Sequence, residues 1–518
     1  MTMQSALRVR KYLLESGFTA DGVLARVGSA AFAALGRGLT VPVRRALADA
    51  EPGSSPLDAL VEAFLLSSAV RATRVPDWVT GDLVELGMVR RDGDAIVPLV
   101  EVHPYGEPDT DWFIVSDVGA PATPDHVLGL GGASVTLAQI TPRRDVGRAL
   151  DVGCGAGVQV LHASRHAGRI VATDTNPRAL ALTSLSLALS GVPAELVDVR
   201  LGSLFGPVSD ERFDLVVSNP PFVISPSHRF TYRDAGLPGD ELSRLVVRGA
   251  AAHLAPGGMA AVLGNWLHVT GEDWTERVSE WVAGTGVNAW IVERDSQSVS
   301  DYAATWLRDA GSTEGREFDD AMHEWLDAFA DESAEEVGFG WFILVDPRNS
   351  GTGGGAREAP DAGSATPPGH LVDSPAAEPW IVVEDLARSE RLPRGDEVLA
   401  FLAGCQAVAN LTAPDLLALP ACLADGATVT TTTHVAGGAH VDAPPRLGLA
   451  GVVGPGGWRP AIAVPPALAA ALLADGAATI GERIDAAAQA EGIDPLDVLG
   501  PSLIGLRELV RASVVRTC

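Results

Sequence analysis

The sequence predicts an α/β protein whose central layer is a doubly wound, mostly parallel sheet. Two observations lead there. Between Arg148 and Val345, strand-like runs alternate with helix-like runs, which specifies parallel strands with helices on both faces. One of those strands, Ala149-Leu150-Asp151-Val152, ends in Gly153-Cys154-Gly155-Ala156-Gly157, and a helical run begins near Val158. Glycines in that order allow a tight turn and close backbone approach to a ligand at a helix N-terminus.

Taken in order, strands are expected near 148–152, 169–173, 194–199, 213–218, 259–264, 287–293 and 338–345. Helices fall between them, including Pro177 to Leu189, Glu241 to His253 and Glu272 to Ala283. Residues 1–120 precede this layer and are first helical. Apolar residues recur at helical spacing from Ala6 to Leu14 and from Leu57 to Leu66, with Pro42 and Pro56 at expected helix starts. From Asp82 to Pro98 a helix gives way to a strand, a turn at Asp92-Gly93 and another strand, a winged-helix-like pattern suited to docking a substrate or to packing alone. Trp112 to Val115 reads as a further strand. Residues 121–346 hold the sheet. Residues 347–378 are Gly- and Pro-rich and read as a flexible linker. Residues 379–518 form an α+β domain, with Trp380 to Val383 and the β-branched run Thr428 to Thr433 as strands and helices from Pro465-Pro466 to Val515.

Charge and composition narrow the functions. The 518 residues include 38 basic and 66 acidic side chains, for a net charge of −28. Such a chain gains little from the phosphate attraction that dominates nucleic-acid affinity, although a local basic patch remains compatible with it. Mean hydropathy is +0.17, and no apolar run is long enough to span a bilayer, so a soluble, cytoplasmic protein with no membrane partner is expected. Cys154, Cys405, Cys422 and Cys518 form no C-x-x-C pair, which argues against a zinc site and against a disulfide framework; no metal is expected.

Two motifs carry chemistry. The glycine loop is joined by Asp174, which ends the second strand 21 residues after Gly153, the distance at which a carboxylate reaches a ribose. The strand Phe213 to Val217 then runs into Ser218-Asn219-Pro220-Pro221-Phe222. The two prolines fix φ and remove two donors, leaving a rigid extended stretch. The Asn219 side-chain oxygen and the Pro220 carbonyl can each accept an N–H, and Phe222 can stack on a planar group. The arrangement suits a flat NH2 group.

These motifs, Leu150 to Gly157, Asp174 and Ser218 to Phe222, resemble the class I S-adenosylmethionine-dependent methyltransferases, in the branch with an Asn-Pro-Pro-Tyr/Phe motif that methylates planar nitrogens. The resemblance covers about residues 125–346. It implies a Rossmann-like sheet of seven strands with the last antiparallel, and S-adenosyl-L-methionine as cofactor. Asp151 and Gly153, Gly155 and Gly157 would hold that cofactor, with Asp174 on its ribose. Thr136, in the segment before the first strand, would close over its methionine end. Ser203 stands where the family often has Asp against the adenine. Asn219, Pro220, Pro221 and Phe222 would form the catalytic motif, with Asn219 also bordering the cofactor.

The family divides by substrate. The resemblance implies either a glutamine side-chain amide of a protein, such as a translation release factor or ribosome component, or an exocyclic amine of a base in ribosomal RNA, tRNA or DNA. Acidic charge and a docking domain at each end are compatible with protein glutamine, the winged-helix-like N-terminus and Phe222 favour a nucleic-acid base, and the sequence reading leans to protein glutamine. The loop Ser227 to Asp234 is expected to cover the substrate, with His228 a candidate base. Trp266, Trp274, Trp281, Trp290 and Trp306 read either as core or as an aromatic platform. A non-catalytic binding protein is disfavoured by the intact motifs.

Overall fold

Helices open the chain: α1 (Met3–Glu15), α2 (Ala20–Val27), α3 (Ser29–Leu35), α4 (Val41–Ala48) and α5 (Pro56–Phe64). In this computed structural model the described residues are 3–48, 55–107, 110–119, 123, 125–226, 237–309, 315–348, 379–434, 446–454, 458–474 and 478–517. Contacts divide the chain into two units. The first is Met1–Ala138, Arg143–Thr285 and Ser296–Asp346; the second is Gln139–Pro142, Gly286–Asp295 and Pro347–Cys518.

In the first unit, helical spacing puts Ala6, Val9 and Leu13 on one buried face of α1. Pro56 opens α5, where a missing N–H leaves nothing unsatisfied. Strand β1 (Val70–Arg71) and helix α6 (Asp77–Glu85) precede the hairpin β2 (Val89–Asp92) and β3 (Ala95–Pro98), and β1 adds a third antiparallel strand beside β3. A longer hairpin follows, β4 (Val100–Glu107) with β5 (Thr110–Asp117).

That hairpin lies against a helix of the central sheet. The Ser190 and Ser186 hydroxyls accept from the backbone N–H of Phe113 (3.0 Å) and Val115 (2.9 Å). Arg10 of α1 donates to the Leu189 and Asp111 carbonyls. The N-terminal segment is therefore packed into the same unit as the sheet.

The central elements are α7 (Gly132–Ile140), β6 (Val146–Val152), α8 (Val158–Ala163), β7 (Ala167–Asp174), α9 (Pro177–Ser190), β8 (Val197–Leu201), β9 (Phe213–Ser218), α10 (Glu241–Ala252), β10 (Leu254–Val269), α11 (Trp274–Val282), β11 (Asn288–Ser298), α12 (Val299–Asp309), α13 (Arg316–Asp331) and β12 (Ala334–Val345). Within the first unit the strands lie in the order β12-β10-β9-β6-β7-β8. All neighbours are parallel except β12, which runs antiparallel to β10. The third strand begins at Val197 rather than 194, because Pro193 is followed by a 3-10 turn over Ala194–Leu196.

The chain leaves β6 for β7 and β8 on one side and returns to β9 and β10 on the other. The switch point therefore lies between β6 and β9, where ligands of doubly wound sheets bind at the carboxyl ends of the strands. The tryptophans of this unit are packing residues. Trp266 and Trp281 are buried, Trp274 stacks on Trp266 at 5.9 Å, and Trp306 meets the Tyr302 ring edge-on at 6.0 Å.

In the second unit, residues of β11 pair in parallel with β13 (Ile381–Asp385). Buried Trp290 of β11 donates its indole N–H to Glu384 at 2.8 Å. After α14 (Gly395–Ala409), α15 (Ala413–Leu417) and β14 (Ala421–Leu423) comes an antiparallel sheet of β15 (Thr428–His434), β16 (Arg446–Val453) and β17 (Ile462–Val464). Helices α16 (Pro466–Leu473), α17 (Ile480–Ala490) and α18 (Pro495–Arg511) close a core that includes Val452, Leu468, Ile484 and Leu509. The helical region stops at Arg511, short of Val515, because Val515–Thr517 pairs with β14 as strand β18. Cys422 is disulfide-bonded, a correction to the sequence expectation, while Cys154 and Cys405 are free and buried. The linker at 347–378 lies almost wholly outside the described residues.

Candidate active site

Parallel pairing sets Val152 beside Ser218, and the Ser218 hydroxyl donates to the Val152 carbonyl at 2.8 Å. The residues that follow, Gly153 and Asn219, thus leave neighbouring strands at the switch point. Gly153, Gly155 and Gly157 all have left-handed backbone, with φ of 77°, 55° and 85°. Any side chain there costs about 1–2 kcal/mol per residue. A Cβ added at Gly153 or Gly155 would meet nothing within 4 Å, so the loop presents bare backbone to open space. At Gly157 it would meet the Thr183 methyl at 3.1 Å. The loop is pinned by Gly153 and Cys154 N–H donating to the Thr173 carbonyl (2.8 and 3.0 Å) and by Gly157 N–H donating to Cys154 O (2.8 Å).

Asp174, at the end of β7, braces this loop. Its carboxylate accepts from the backbone N–H of Gly155 (3.0 Å) and Asn176 (2.9 Å). Burial raises its pKa, partly opposed by these backbone donors. Asp151 is 2% exposed, and its Oδ2 has no hydrogen-bond partner. Burial first, and the charge of Asp174 second, pushes the Asp151 carboxyl up to about 8. An orphaned acceptor in a buried site is poised for a ligand donor or cation. Ser203 is exposed in the turn after β8, its carbonyl accepting from Gly206 N–H at 3.0 Å. The preceding Gly202 N–H donates to Asp174 O at 2.9 Å, which sets that turn beside the end of β7.

Asn219, Pro221 and Phe222 are half-buried and Pro220 is buried. The Asn219 amide N–H donates to the Ser134 hydroxyl at 3.4 Å, which leaves Oδ1 as its acceptor. The Ser134 carbonyl in turn accepts from Gln159 of α8 at 2.8 Å. Beyond Phe222, Val223 and Ile224 enter a buried cluster with Trp325 and Phe329. Ile224 N–H donates to the Tyr302 hydroxyl at 2.9 Å, and Asn265 Nδ2 donates to the same oxygen at 3.2 Å.

Sequence reasoning placed Thr136 in the covering segment. It sits half-buried on α7, while Ser134, two residues earlier, is the one that meets Asn219. Ser134, Gln159 and Tyr302 were missed. Their polarity is common in any helix, and nothing local marks them. Residues 227–236, with His228, Arg229 and Arg233, lie outside the described residues. Among the described residues, no group of three or more His, Cys, Asp and Glu is placed to hold a metal, and no helix is long and apolar enough to cross a membrane.

With this geometry in hand, comparison with known proteins gives two family matches. Residues 15–99 match a domain of unknown function, and residues 129–268 match the methyltransferase small domain. The second match spans the glycine loop, Asp174 and Asn219 to Phe222, and makes this segment an S-adenosylmethionine-dependent methyltransferase domain. Ribosomal RNA small subunit methyltransferase C of Escherichia coli is 33% identical over 136 residues, covering 26% of this chain and 35% of that protein. The chain thus spans about a third of the length of the curated relatives it matches. Two solved structures are similar over part of the chain. The YcgJ protein of Bacillus subtilis has 14% identity and a TM-score of 0.28, covering 42% of this chain and 98% of that one. A 16S rRNA N2 methyltransferase of T. Thermophilus, in complex with AdoMet and guanosine, has 17% identity and a TM-score of 0.26, covering 41% and 58%. Likenesses of that size bear on neither substrate nor partner.

Proposed function

We propose that this protein transfers a methyl group from S-adenosylmethionine to the exocyclic amine of a base in ribosomal RNA. The observation that carries the reading is the 33% identity to a ribosomal RNA methyltransferase, joined to an Asn-Pro-Pro-Phe stretch at the switch point. It displaces the protein-glutamine substrate that the sequence alone favoured, for which the comparisons offer no support.

The residues present fit the cofactor. Open left-handed glycines, an orphaned buried Asp151 oxygen and Asp174 at the end of β7 supply a bare backbone cradle, a buried acceptor and a ribose acceptor. Thr136 and Ser203 lie on the flanking segments. When bound, S-adenosylmethionine supplies a methyl already activated on a sulfonium.

The protein's work is then to present a poor nucleophile. An aromatic amine has its lone pair spread into the ring. Asn219 Oδ1 and the Pro220 carbonyl accept its two N–H bonds, so the nitrogen turns toward sp³ and its lone pair is freed. The same oxygens stabilise the positive charge that grows on the nitrogen. Phe222 stacks on the base. The proton leaves to water, because a methylated ammonium of this kind is strongly acidic. Residues 1–120 serve as the docking domain.

Labelled S-adenosylmethionine, the purified protein, and small ribosomal subunits from cells lacking it test the reading. Label is expected in RNA, with the rate falling about 10²–10³-fold in Asn219→Ala, the usual cost of removing one aligned hydrogen-bonding group. Label in a protein band instead would overturn it.

A further inference from the structure

An enzyme with 66 acidic and 38 basic side chains must still approach a polyanion if its substrate is RNA. The charge is not evenly spread. Residues 1–100 carry eleven of each sign and are neutral, so the whole excess of acid lies beyond them. Within that neutral segment, residues 22–48 contain four arginines and no acidic residue.

Those four arginines are placed differently. Arg26 is spent inside the fold, paired with Asp58 at 2.7 Å. Arg44 is held at the surface, donating to the Leu66 carbonyl and the Ser68 hydroxyl, both at 2.9 Å. Arg37 and Arg45 are exposed and, among the described residues, have no ion-pair partner. They flank the turn between α3 and α4, two helices that pack on each other. At the same turn Leu39 is 54% and Val41 64% exposed. Of the other exposed arginines of this module, Arg8 is neutralised by Asp82, Arg90 by Asp92 and Arg91 by Asp77, while Arg71 has no ion-pair partner among the described residues.

We infer that the α3–α4 corner is where the protein grips the sugar–phosphate backbone of its RNA. Arg37 and Arg45 contact phosphates, Arg44 is the fixed charge between them, and Leu39 and Val41 lie against the sugar edge. This rests on RNA being the substrate. Phosphate contacts of this kind fix position without reading sequence, which leaves base selection to the catalytic site. The winged hairpin β2–β3 is a poorer candidate, because each of its arginines already has a carboxylate beside it.

The test uses the full chain and a 20-base-pair RNA duplex as probe. Affinity is measured from about 0.05 to 0.2 M salt for the wild type, for Arg37→Ala/Arg45→Ala and for Arg45→Glu. Each phosphate contact contributes about 0.7–0.9 to the slope of log K against log salt. The double variant is therefore expected to flatten the slope by about 1.5 and to weaken binding about a hundredfold at the low-salt end. Cofactor affinity and melting temperature should stay as in the wild type. The pair Arg90→Ala/Arg91→Ala should leave the slope unchanged. A wild type that binds and methylates RNA, with both corner variants matching it, overturns this surface and leaves the substrate reading intact. A wild type that neither binds nor methylates RNA overturns the substrate reading, and this one with it. Loss of binding to anionic vesicles, with RNA binding unchanged, also overturns the assignment, in favour of a membrane surface.

Discussion

Asp151→Asn should make the cofactor-free protein more stable at pH 8 and no more stable at pH 4. Asp151 is almost fully buried, and its carboxyl is pushed up to about 8 by burial and by Asp174. In the unfolded chain an aspartate titrates near 3.9. Below about pH 4 both states carry the proton and nothing is lost. As pH rises from there, the unfolded chain releases a proton that the folded chain retains, and stability falls by about 1.4 kcal/mol per unit. The loss is complete near pH 8, at about 5 kcal/mol. Asparagine is neutral throughout and escapes this loss, while its orphaned amide costs about 1–3 kcal/mol at every pH. The net gain at pH 8 is therefore a few kcal/mol, and at pH 4 the variant is the weaker protein. Because the chain has two units, global melting mixes their transitions. Hydrogen exchange of β6 and β9 peptides in urea, at pH 5, 6.5 and 8, isolates the relevant one. A difference between variant and wild type that does not change from pH 5 to 8 would refute the reasoning, since it would mean that Asp151 is ionised in the fold. The same variant should bind S-adenosylmethionine less tightly.

Two further substitutions separate positioning from binding. Tyr302→Phe removes the oxygen that accepts from Ile224 N–H and from Asn265 Nδ2, stranding a buried backbone donor at a cost of about 1–3 kcal/mol. Methyl transfer should slow while cofactor affinity holds, as read by kcat against a titration with S-adenosylhomocysteine. Equal loss of both would show general unfolding instead. Gly157→Ala forces a side chain to φ 85° and against Thr183, with a strain cost of about 1–2 kcal/mol. Cofactor affinity should fall by about tenfold or more with only a small change in melting temperature; unchanged affinity would remove the loop from the site.

The parts legible in the sequence were those with local causes. β6 ends in the apolar-rich run Ala149–Val152 before Gly153, β9 carries Leu215–Val217 before the Asn-Pro-Pro stretch, and both runs are buried. Asp174 was found by its distance from Gly153, because a strand–loop–helix–strand unit has nearly fixed length. Other features had no local cause. Glycines at 129, 131 and 132 give no local sign of a helix, yet Gly132–Ile140 is one and it delivers Ser134 to Asn219. Tyr302 reaches Ile224 across 78 residues, a pairing no periodicity records. The tryptophan cluster could be read as platform or core from spacing alone; burial of Trp266 and Trp281 decides for core.

Positioning is the main task left to an enzyme whose donor is already activated, since holding two reactants in register replaces most of what acid–base chemistry would otherwise supply. The Asn219 stretch is built for that. It is held at its start by Ser218 on the Val152 carbonyl, at its end by Tyr302 on Ile224, and at its side by Ser134 on the Asn219 amide. Two prolines stiffen the span between those anchors. Ser134 is itself tied by its carbonyl to Gln159, in the first turn of the helix that Gly157 opens. The glycine loop and the Asn219 amide are thus one mechanical piece. Strain introduced at Gly157 should therefore reach the turnover rate as well as the cofactor, and it should do so through Gln159 and Ser134. If most of the kcat loss caused by Gly157→Ala disappears in a background that already carries Gln159→Ala, the path runs through Gln159 and Ser134. Simple additivity of the two losses would show that it does not.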